Sequence, residues 1–351
     1  MTGAATPTPL VSVVVIGRNE GSRLVRCIES IRAIAPLPGP VEVVYVDSAS
    51  TDGSPERARA LGARVLEVKP ERPCAAVGRN AGWKAARGRY VLFLDGDTVL
   101  HPLFVATALG AFEGRDPAAT DERTEGKVAV VWGHRREIDV AGSFYNRVLD
   151  LDWVYPPGPS EFCGGDALMR RDVLEEVGGY DDTLIAGEEP EMCRRMRAKG
   201  WVILHVDAPM TGHDLAMRTF AAYWRRAFRA GFAYAEVSHR FRGTGSPLWE
   251  EDARRNLLRA PVLLALPLAG LVGTVLLGSP WPALLALGLL LLLAARSAWK
   301  ARWKGGAAAT LFLYGVHSHF QQVPILAGQL AWYRDRRAGR RRALIEYKGV
   351  P

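Results

Sequence analysis

The feature that most constrains this chain is a long stretch without any charged side chain, between Arg259 and Arg296. At about 1.5 Å per helical residue, the stretch is too long for one perpendicular membrane span and can form two. Residues 278–282, Gly-Ser-Pro-Trp-Pro, divide it, and this composition favours a turn over continued helix. The sequence therefore predicts a transmembrane hairpin over residues 260–299. A buried helical pair in a soluble protein is the poorer alternative, because both halves are leucine-rich on all sides.

The positive charge of the chain is concentrated around this stretch. From Glu251 onward there are 14 Lys and Arg but four Asp and Glu, a net +10 against +8 for the whole chain. Basic residues that flank apolar segments indicate a membrane surface, not a nucleic acid. Both flanks of the hairpin are basic and its inner turn is uncharged, which favours flanks in the cytoplasm. Residues 1–9 lack the pattern of a signal peptide. We therefore expect a multi-pass protein of the cytoplasmic (inner) membrane, with its N-terminal domain in the cytoplasm.

The chain divides into four predicted regions: a soluble domain (1–240), an amphipathic basic connector (241–259), the hairpin (260–299), and an interfacial or re-entrant helix with a basic tail (300–351). Within the last region, residues 306–333 are apolar but contain polar groups that would be costly in hydrocarbon. Two of these, His317 and His319, either line a site for a lipid substrate or lie on a hydrated helix face, and the hydrated face is favoured.

The soluble domain alternates short apolar runs with helical patterns. The runs are residues 11–16, 41–46, 64–68 and 90–94. Unbroken apolar strands that alternate with helices predict a mostly parallel α/β sheet with helices on both faces. A hydrophobic content of 48% excludes global disorder. The four cysteines lack CxxC spacing, which favours reduced cytoplasmic thiols over a disulfide framework or a zinc site.

Acidic residues follow the ends of these strands, where open α/β sheets bind ligands. Asp47 and Asp52 follow the second strand, and Asp95 and Asp97 follow the fourth. The first strand is not followed by GxGxxG and no Walker A sequence is present, which weighs against a dinucleotide or P-loop site. Asp95 and Asp97 suit Mg²⁺ or Mn²⁺, which prefer carboxylate oxygens, although aspartates that cap a turn are the alternative taken alone.

Six sequence segments occur together in a recognisable order. They are residues 13–20, 47–54 (DSASTDGS), 78–82 (GRNAG), 95–97 (DGD), 164–165 (GG) and 187–191 (GEEPE). The set resembles family 2 glycosyltransferases of the GT-A fold over roughly residues 10–240. The resemblance implies a nucleotide-diphospho-sugar donor such as a UDP- or GDP-sugar, Mg²⁺ or Mn²⁺ as cofactor, and an inverting displacement.

The resemblance also implies roles for individual residues in donor binding. Asp47 reads the nucleobase, Asp95 faces the nucleotide and ribose, and Asp97 holds the metal, with Asp95 beside it. The residues implied to line the nucleotide or the diphosphate are Asn19, Glu20 and Arg79. Asp52 and the glycine after it are better explained as turn and helix-cap chemistry.

Transfer to a hydroxyl requires a general base within reach of the acceptor proton. The candidates are Glu189 and Glu188, with Glu189 favoured, while Glu191 is expected to hold the local structure. The family pattern is acidic–Asp–x–Asp, so a glutamate at position 189 is a departure from it. Three acids at a helix N-terminus also complement the helix dipole, which is the structural explanation for them.

Four further residues complete the predicted site. The resemblance places Gly165 at the junction of donor and acceptor, with Asp166 as an acceptor contact. His213 is either an extra metal ligand or a loop histidine bonded to Asp214. Arg226 either meets the diphosphate or belongs to a basic amphipathic helix on the membrane. The QxxRW sequence of processive members is absent from this region, which favours a single addition.

These features predict a membrane-anchored glycosyltransferase with a lipid-linked or glycan acceptor, in the synthesis of envelope or exopolysaccharide glycans. Two alternatives use the same domain: a polyprenyl-phosphate glycosyltransferase, and a membrane scaffold with a degenerate transferase domain. A sugar-phosphate nucleotidyltransferase is disfavoured, because residues 17–21 make a poor Gly-rich basic loop.

Overall fold

The structure, a computed structural model, describes residues 7–116, 124 and 126–340. The chain forms two compact units. The first, the sheet unit, consists of Met1–Ile138 and Tyr155–Leu215, and the second, the helical unit, of Asp139–Val154 and Ala216–Pro351. Of the basic tail predicted at the C-terminus, residues 341–351 lie outside the described residues.

The described strands all belong to the sheet unit. They are β1 Val11–Gly17, β2 Val41–Asp47, β3 Arg64–Glu67, β4 Tyr90–Asp95, β5 Thr98–Leu100, β6 Val128–Glu137, β7 Gly158–Ser160, β8 Ala167–Arg170 and β9 Val202–His213. The described α-helices are α1 Ser22–Arg32, α2 Ser54–Ala60, α3 Ala75–Ala85, α4 Phe104–Phe112, α5 Phe144–Asp150, α6 Arg171–Val177, α7 Glu188–Ala198, α8 Phe220–Phe241, α9 Glu250–Leu277, α10 Trp281–Lys300, α11 Ala308–Phe320 and α12 Gln322–Arg337.

The strands form one mixed sheet. Its order is β3-β2-β1-β4-β8-β6-β9-β5, and β7 pairs with β9. The first four strands are parallel to their neighbours, as are β6 and β9, whereas β8 runs antiparallel between β4 and β6. The α/β fold with flanking helices is therefore confirmed, and the sheet is mixed: of its described strand pairs four are parallel and four antiparallel, and each antiparallel pair includes a strand that follows β4 in sequence.

The core of the sheet unit explains why the early strands read as unbroken apolar runs. Residues 11–16 of β1 are buried throughout, because helices cover both faces of the sheet. On one face α3 packs directly on β1, and a Cβ at Gly82 would lie 2.1 Å from Cγ1 of Val14. This close approach fixes α3 against the sheet and brings Arg79, one turn earlier on the same helix, toward the carboxyl ends of the strands.

The helical unit contains a hairpin of two apolar helices, α9 and α10. Both are long and apolar enough to cross a membrane by length and composition, and most of their surface is exposed. Helix α9 begins at Glu250, inside the predicted connector, and continues through Pro261 and Pro267. The two helices approach closely at Gly270, where a Cβ would lie 2.7 Å from that of Ala286.

The segment predicted as a single interfacial helix consists of two helices, α11 and α12. His317 is 3% exposed, so the prediction that it lies on a hydrated helix face is wrong. Its Nδ1 lies 2.8 Å from Oη of Tyr223, and its Nε2 lies 3.2 Å from Oδ2 of Asp152. Because burial without a partner is costly for an imidazole, these two contacts explain how His317 is tolerated inside the unit. His319 is half-buried, and its Nε2 lies 2.9 Å from Oγ of Ser297.

Candidate active site

A buried arginine of α3 gathers three carboxylates at the carboxyl ends of the strands. Arg79 is 2% exposed. Its Nη1 lies 2.9 Å from Oε1 of Glu188 and 2.8 Å from Oε1 of Glu189, and its Nη2 lies 3.0 Å from Oδ1 of Asp95. Burial alone would lower the pKa of Arg79, but the surrounding carboxylates, Glu189 first, raise it well above its ordinary value. The guanidinium is therefore a permanent positive charge that joins α3, α7 and the end of β4.

A second arginine, which the sequence analysis missed, approaches the same cluster from β6. Nη2 of Arg135 lies 3.5 Å from Oδ2 of Asp95, and its Nε lies 3.8 Å from Oδ2 of Asp166. The signal was present: the apolar run of β6 ends in His-Arg-Arg-Glu, so these charges follow a buried strand as the acids of β4 do. Asp95 thus lies between two guanidinium groups.

Asp166 is held inside the sheet. Its Oδ1 accepts a hydrogen bond from the backbone N–H of Asp95 at 3.0 Å, and its Oδ2 accepts one from Oγ1 of Thr211 at 2.8 Å. Burial is the main cause that raises the pKa of Asp166; Arg135 opposes the rise, and Asp95 adds to it. These bonds give Asp166 a positioning role for Asp95, and its contact with an acceptor stays a prediction.

The predicted metal ligands do not come together as one set. Asp97 and His213 are each 2% exposed, and Nε2 of His213 lies 3.3 Å from Oδ2 of Asp97. His213 is the last residue of β9, not part of a loop, and its neighbour Asp214 lies 2.7 Å from Nη2 of Arg26. Asp95 faces the two arginines instead. No group of three or more His, Cys, Asp or Glu is arranged to hold a metal ion within residues 7–116, 124 and 126–340.

The carboxylate and imidazole of this pair nonetheless fit a divalent cation in part. Both side chains are hard or borderline donors, they adjoin each other, and they come from the β4–β5 turn and the end of β9. A cation held by two protein ligands retains coordination positions for the oxygens of a diphosphate. A role of Asp97 and His213 as metal ligands therefore stays a prediction, and Asp95 does not belong to this pair.

Asp47 ends β2 and is 2% exposed. Its Oδ1 accepts a hydrogen bond from Oη of Tyr45 and its Oδ2 accepts one from the N–H of Ser50, both at 2.8 Å. Burial, and then the bond to Asp47, raises the pKa of Tyr45, so its hydroxyl remains a donor. These contacts hold the loop after β2, and the reading of a nucleobase by Asp47 stays a prediction.

The turn after β1 is joined to this loop. Asn19 adopts a left-handed backbone conformation with φ of +55°, and its Oδ1 accepts a hydrogen bond from the N–H of Thr51 at 2.8 Å. Glu20 lies near the β4–β5 turn, since a Cβ at Gly96 would be 3.1 Å from its Cγ. Asp52 accepts a hydrogen bond from the N–H of Ser54 at 3.0 Å, which confirms its role in the turn; Gly53 is the N-cap residue of α2, where no side chain makes a capping hydrogen bond.

The three acids at the start of α7 have different roles. Gly187, in the left-handed region with φ of +88°, precedes the helix. The side chain of Glu188 is 4% exposed and that of Glu189 is 16% exposed, so Glu189 is the more accessible. Oε2 of Glu191 lies 2.6 Å from Nη2 of Arg195, which also donates to the carbonyl of Gly179 at 2.7 Å. The predicted structural role of Glu191 is thereby confirmed.

Gly165 lies against the charged cluster. A Cβ at this position would be 2.5 Å from Nη2 of Arg79, 3.2 Å from Oδ2 of Asp95 and 3.4 Å from Oε1 of Glu189. Since the arginine is buried and held by three carboxylates, no side chain fits at position 165 without displacing it. The glycine is thus required by close packing at the centre of the cluster.

Arg226 is not part of this cluster. It lies on α8 in the helical unit, where its Nη1 is 4.0 Å from Oδ2 of Asp152. The other predicted site residues all lie in the sheet unit. They are Asn19, Glu20, Asp47, Arg79, Asp95, Asp97, Gly165, Asp166, Glu188, Glu189 and His213, the last of which lies beside Asp97.

The known proteins that this chain resembles in sequence are glycosyltransferases. Residues 12–178 match the model of the glycosyl transferase family 2. The chain is 22% identical over 234 residues to glycosyltransferase AglE of Haloferax volcanii, a match that spans 65% of this chain and 74% of that protein. It is 29% identical over 238 residues to the pre-mycofactocin glycosyltransferase of Mycobacterium tuberculosis, which spans 64% of this chain and less than half, 46%, of that protein.

A solved structure has the same fold. Mannosyltransferase PcManGT from Pyrobaculum calidifontis, in complex with GDP-Man and Mn²⁺, aligns with a TM-score of 0.55 over 96% of this chain and 89% of its own, at 19% identity. The mixed sheet, the order of the acidic segments and the family match lead to one assignment. Residues 12–178 belong to glycosyl transferase family 2, and the chain has the GT-A fold.

Proposed function

We propose that this chain transfers one sugar from a nucleotide-diphospho-sugar to an acceptor, with inversion at the anomeric carbon and a divalent metal as cofactor. The observation that carries the proposal is the cluster of Asp95, Glu188 and Glu189 around Arg79. Two residues after Asp95 in the chain, Asp97 pairs with His213. The members of the cluster come from three separate segments of the family pattern.

The charges of the cluster support a metal-dependent donor site. Four carboxylates, those of Asp95, Asp166, Glu188 and Glu189, surround the guanidinium groups of two arginines. An anionic diphosphate that enters such an acidic site requires a compensating positive charge. Asp97 and His213 would hold a divalent cation, which when bound would supply that charge and stabilise the leaving diphosphate.

The chemistry of transfer follows from the two glutamates. In a direct displacement, the acceptor oxygen forms a bond to the anomeric carbon, the bond to the diphosphate breaks, and the acceptor proton passes to a base. We propose Glu189 as that base, because its side chain is more exposed than that of Glu188. Arg79 holds Oε1 of Glu189 and so orients the carboxylate.

We further propose that α9 and α10 insert in the membrane and that the acceptor is linked to a lipid. The exposed leucines of the two helices support insertion, since an apolar surface of this length is costly in water. Their basic flanks favour a cytoplasmic location of both ends. An acceptor that is already at the membrane requires no separate docking from solution.

One observation favours a second candidate, a polyprenyl-phosphate glycosyltransferase. Both Glu188 and Glu189 share Arg79 as an ion-pair partner, and an acceptor phosphate that is already ionised needs no base. Glu189→Gln distinguishes the two: a hydroxyl acceptor predicts a loss in kcat of roughly 10²-fold or more, whereas a phosphate acceptor predicts a small change.

The donor site is tested first. The full chain in detergent is screened by thermal shift and donor hydrolysis against UDP-, GDP- and dTDP-sugars, with and without Mn²⁺; the complex of PcManGT with GDP-Man and Mn²⁺ motivates the choice. Stabilisation by one nucleotide class that requires metal and vanishes in Asp97→Ala supports the proposal. Absence of metal-dependent stabilisation by any donor would reject it and favour the scaffold.

A further inference from the structure

The helical unit contains a cavity of about 420 Å³, and its lining residues all belong to that unit. It opens to the surface and is lined by one face each of α9 and α10 and by residues of the α11–α12 corner. Three of its lining residues are cationic: Arg259, Arg296 and Lys300. No acidic residue lines it.

These cations are not neutralised by neighbouring acids. Glu251 and Asp252, the acids near the start of α9, pair with Arg255 instead. Arg259, Arg296 and Lys300 form no ion pair with a carboxylate in the part of the chain that the structure describes. Three like charges around one cavity repel each other, so an anion in the cavity would relieve this repulsion.

The position of the cavity along the hairpin indicates what kind of anion it holds. Arg259 directly precedes the charge-free stretch and Arg296 directly follows it. Both therefore lie where an inserted hairpin leaves the hydrocarbon and meets the headgroup layer. Phosphate groups of lipids occupy this level of a bilayer, and basic residues there attract them.

The other lining residues are four apolar side chains of α9 and α10 and three polar ones, Ser297, His319 and Gln322. Leu258 and Val262 of α9 are 62% and 64% exposed, and Leu293 of α10 adjoins them. On α10, Leu293, Arg296 and Lys300 are spaced by three and four residues, so an apolar and two basic side chains share one helix face. A ligand that suits these walls has an anionic group attached to an apolar chain.

We propose that this cavity binds the phosphate ester headgroup of a membrane lipid, with Arg259, Arg296 and Lys300 contacting the phosphate and the lipid chain lying along Leu258, Val262 and Leu293. The inference rests on the proposed insertion of the hairpin and is independent of the donor chemistry. Two lipids offer this headgroup: a bilayer phospholipid and a phosphate-bearing polyprenyl acceptor.

The test is a lipid titration of the full chain in detergent, read by native mass spectrometry. Phosphatidylglycerol, phosphatidylcholine and a polyprenyl phosphate are compared on the wild type, on Arg296→Gln/Lys300→Gln, and on Arg254→Gln/Arg302→Gln. The last variant removes the same charge from two exposed arginines beside the hairpin that do not line the cavity. Each cation near an anionic lipid contributes roughly fivefold in binding, so the cavity variant should bind about 25-fold more weakly.

We expect one saturable adduct of an anionic lipid on the wild type, its loss in the cavity variant, and its retention in the control. A higher affinity for polyprenyl phosphate would identify the bound lipid as the acceptor. A higher affinity for phosphatidylglycerol would identify it as a structural lipid. Equal affinity in all three proteins, an equal loss in both variants, or equal stabilisation by inorganic phosphate alone would overturn the proposal.

Two controls separate this result from the earlier proposals. Flotation with phosphatidylcholine vesicles reports insertion of the hairpin, and both variants should float as the wild type does. Metal-dependent stabilisation by the donor reports the sheet unit and should be unchanged in both variants. A protein that floats and binds donor but shows no selectivity for anionic lipid would contradict the lipid site alone.

Discussion

Nη1 of Arg79 lies 2.8 Å from Oε1 of Glu189, so a buried cation of α3 holds the proposed base of α7. Buried ion pairs are strongly destabilised when one partner is removed, because the remaining charge is left in a low dielectric. Here the guanidinium of Arg79 is the ion-pair partner of three carboxylates. Activity and stability should consequently depend on the same side chain.

Replacement of this arginine tests that dependence. In Arg79→Met the three carboxylates lose their shared partner, and the free energy of unfolding should fall by about 3–5 kcal/mol. Thermal unfolding measures the loss, and turnover of the donor should fall with it. Arg89→Met is the matched control, since Arg89 is exposed and lies over the ring of Tyr90 at 5.3 Å. Equal stability of the two variants would contradict a central role for Arg79.

The glycine beside the cluster provides a second, smaller change. In Gly165→Ala the new Cβ meets Nη2 of Arg79 at 2.5 Å, and the arginine has to move away from Asp95 or Glu189. A displacement of about 1 Å at a reacting group lowers the rate by roughly 100-fold, so kcat should fall by this order. Gly164→Ala is the control, because a Cβ there meets nothing within 4 Å. If both variants turn over donor alike, position 165 is not limited by packing.

The pair of Asp97 and His213 leads to a prediction about metal affinity. His213→Ala removes the imidazole that lies 3.3 Å from the carboxylate of Asp97. Because one of the two proposed protein ligands is lost, the Mn²⁺ concentration for half-maximal donor stabilisation should rise by at least roughly 10- to 100-fold, the loss that removal of an outer-shell partner of a metal ligand already causes. A titration of Mn²⁺ by thermal shift measures this. An unchanged midpoint would mean that His213 only packs against Asp97.

The first four strands of the sheet unit could be predicted from the sequence, because short segments of the chain carry the pattern that identifies each of them. The strands β1, β2 and β4 are largely apolar, and the acids after β2 and β4 necessarily reach one edge of a parallel sheet. The burial of His317 could not be predicted, since it depends on Asp152 and Tyr223, which are distant in sequence.

The partners of the acidic residues also could not be predicted from the sequence. Arg135 and Thr211 reach Asp95 and Asp166 only because β8 runs antiparallel between β4 and β6. Strand order in this half depends on tertiary packing over long sequence separations, which no local pattern encodes. The two aspartates of the DGD segment likewise look equivalent in sequence, yet one faces arginines and the other a histidine.

A carboxylate remote from the cluster gives the sheet unit a predictable response to pH. Partial burial raises the pKa of Glu42, but hydrogen bonds from Ser12 and from the backbone and guanidinium of Arg87 outweigh it and hold the pKa below the ordinary value. Because the pKa of Glu42 is lower in the folded protein, the stability that its hydrogen bonds contribute is present above about pH 4.5, the ordinary pKa of a glutamate. That stability is lost as the pH falls through the folded-state pKa.

Glu42→Gln should therefore lower Tm at pH 7, by roughly 3–6 °C for a loss of about 1.5 kcal/mol. The difference from wild type should shrink as the pH falls through the lowered pKa of Glu42, where the wild-type carboxylate becomes protonated. Scans at a series of pH values measure both effects. Glu56→Gln, which alters an exposed carboxylate of α2, should leave Tm unchanged throughout. A difference that stays constant with pH would disprove the charged hydrogen bonds as its cause.

The helical unit depends on a close crossing of α8 and α12 that can be tested independently of any activity. A Cβ at Gly328 would lie 2.0 Å from the carbonyl oxygen of Phe228 and 2.8 Å from the N–H nitrogen of Phe232, both backbone atoms. Because backbone cannot move aside as a side chain can, Gly328→Ala should force the helices apart at a cost of about 1–3 kcal/mol and lower Tm. Gly288→Ala on α10, where nothing lies within 4 Å, should instead be neutral or stabilising, since alanine favours helix. Thermal unfolding of the two variants side by side measures the contrast, and a Gly328→Ala protein as stable as Gly288→Ala would show that the crossing tolerates a side chain.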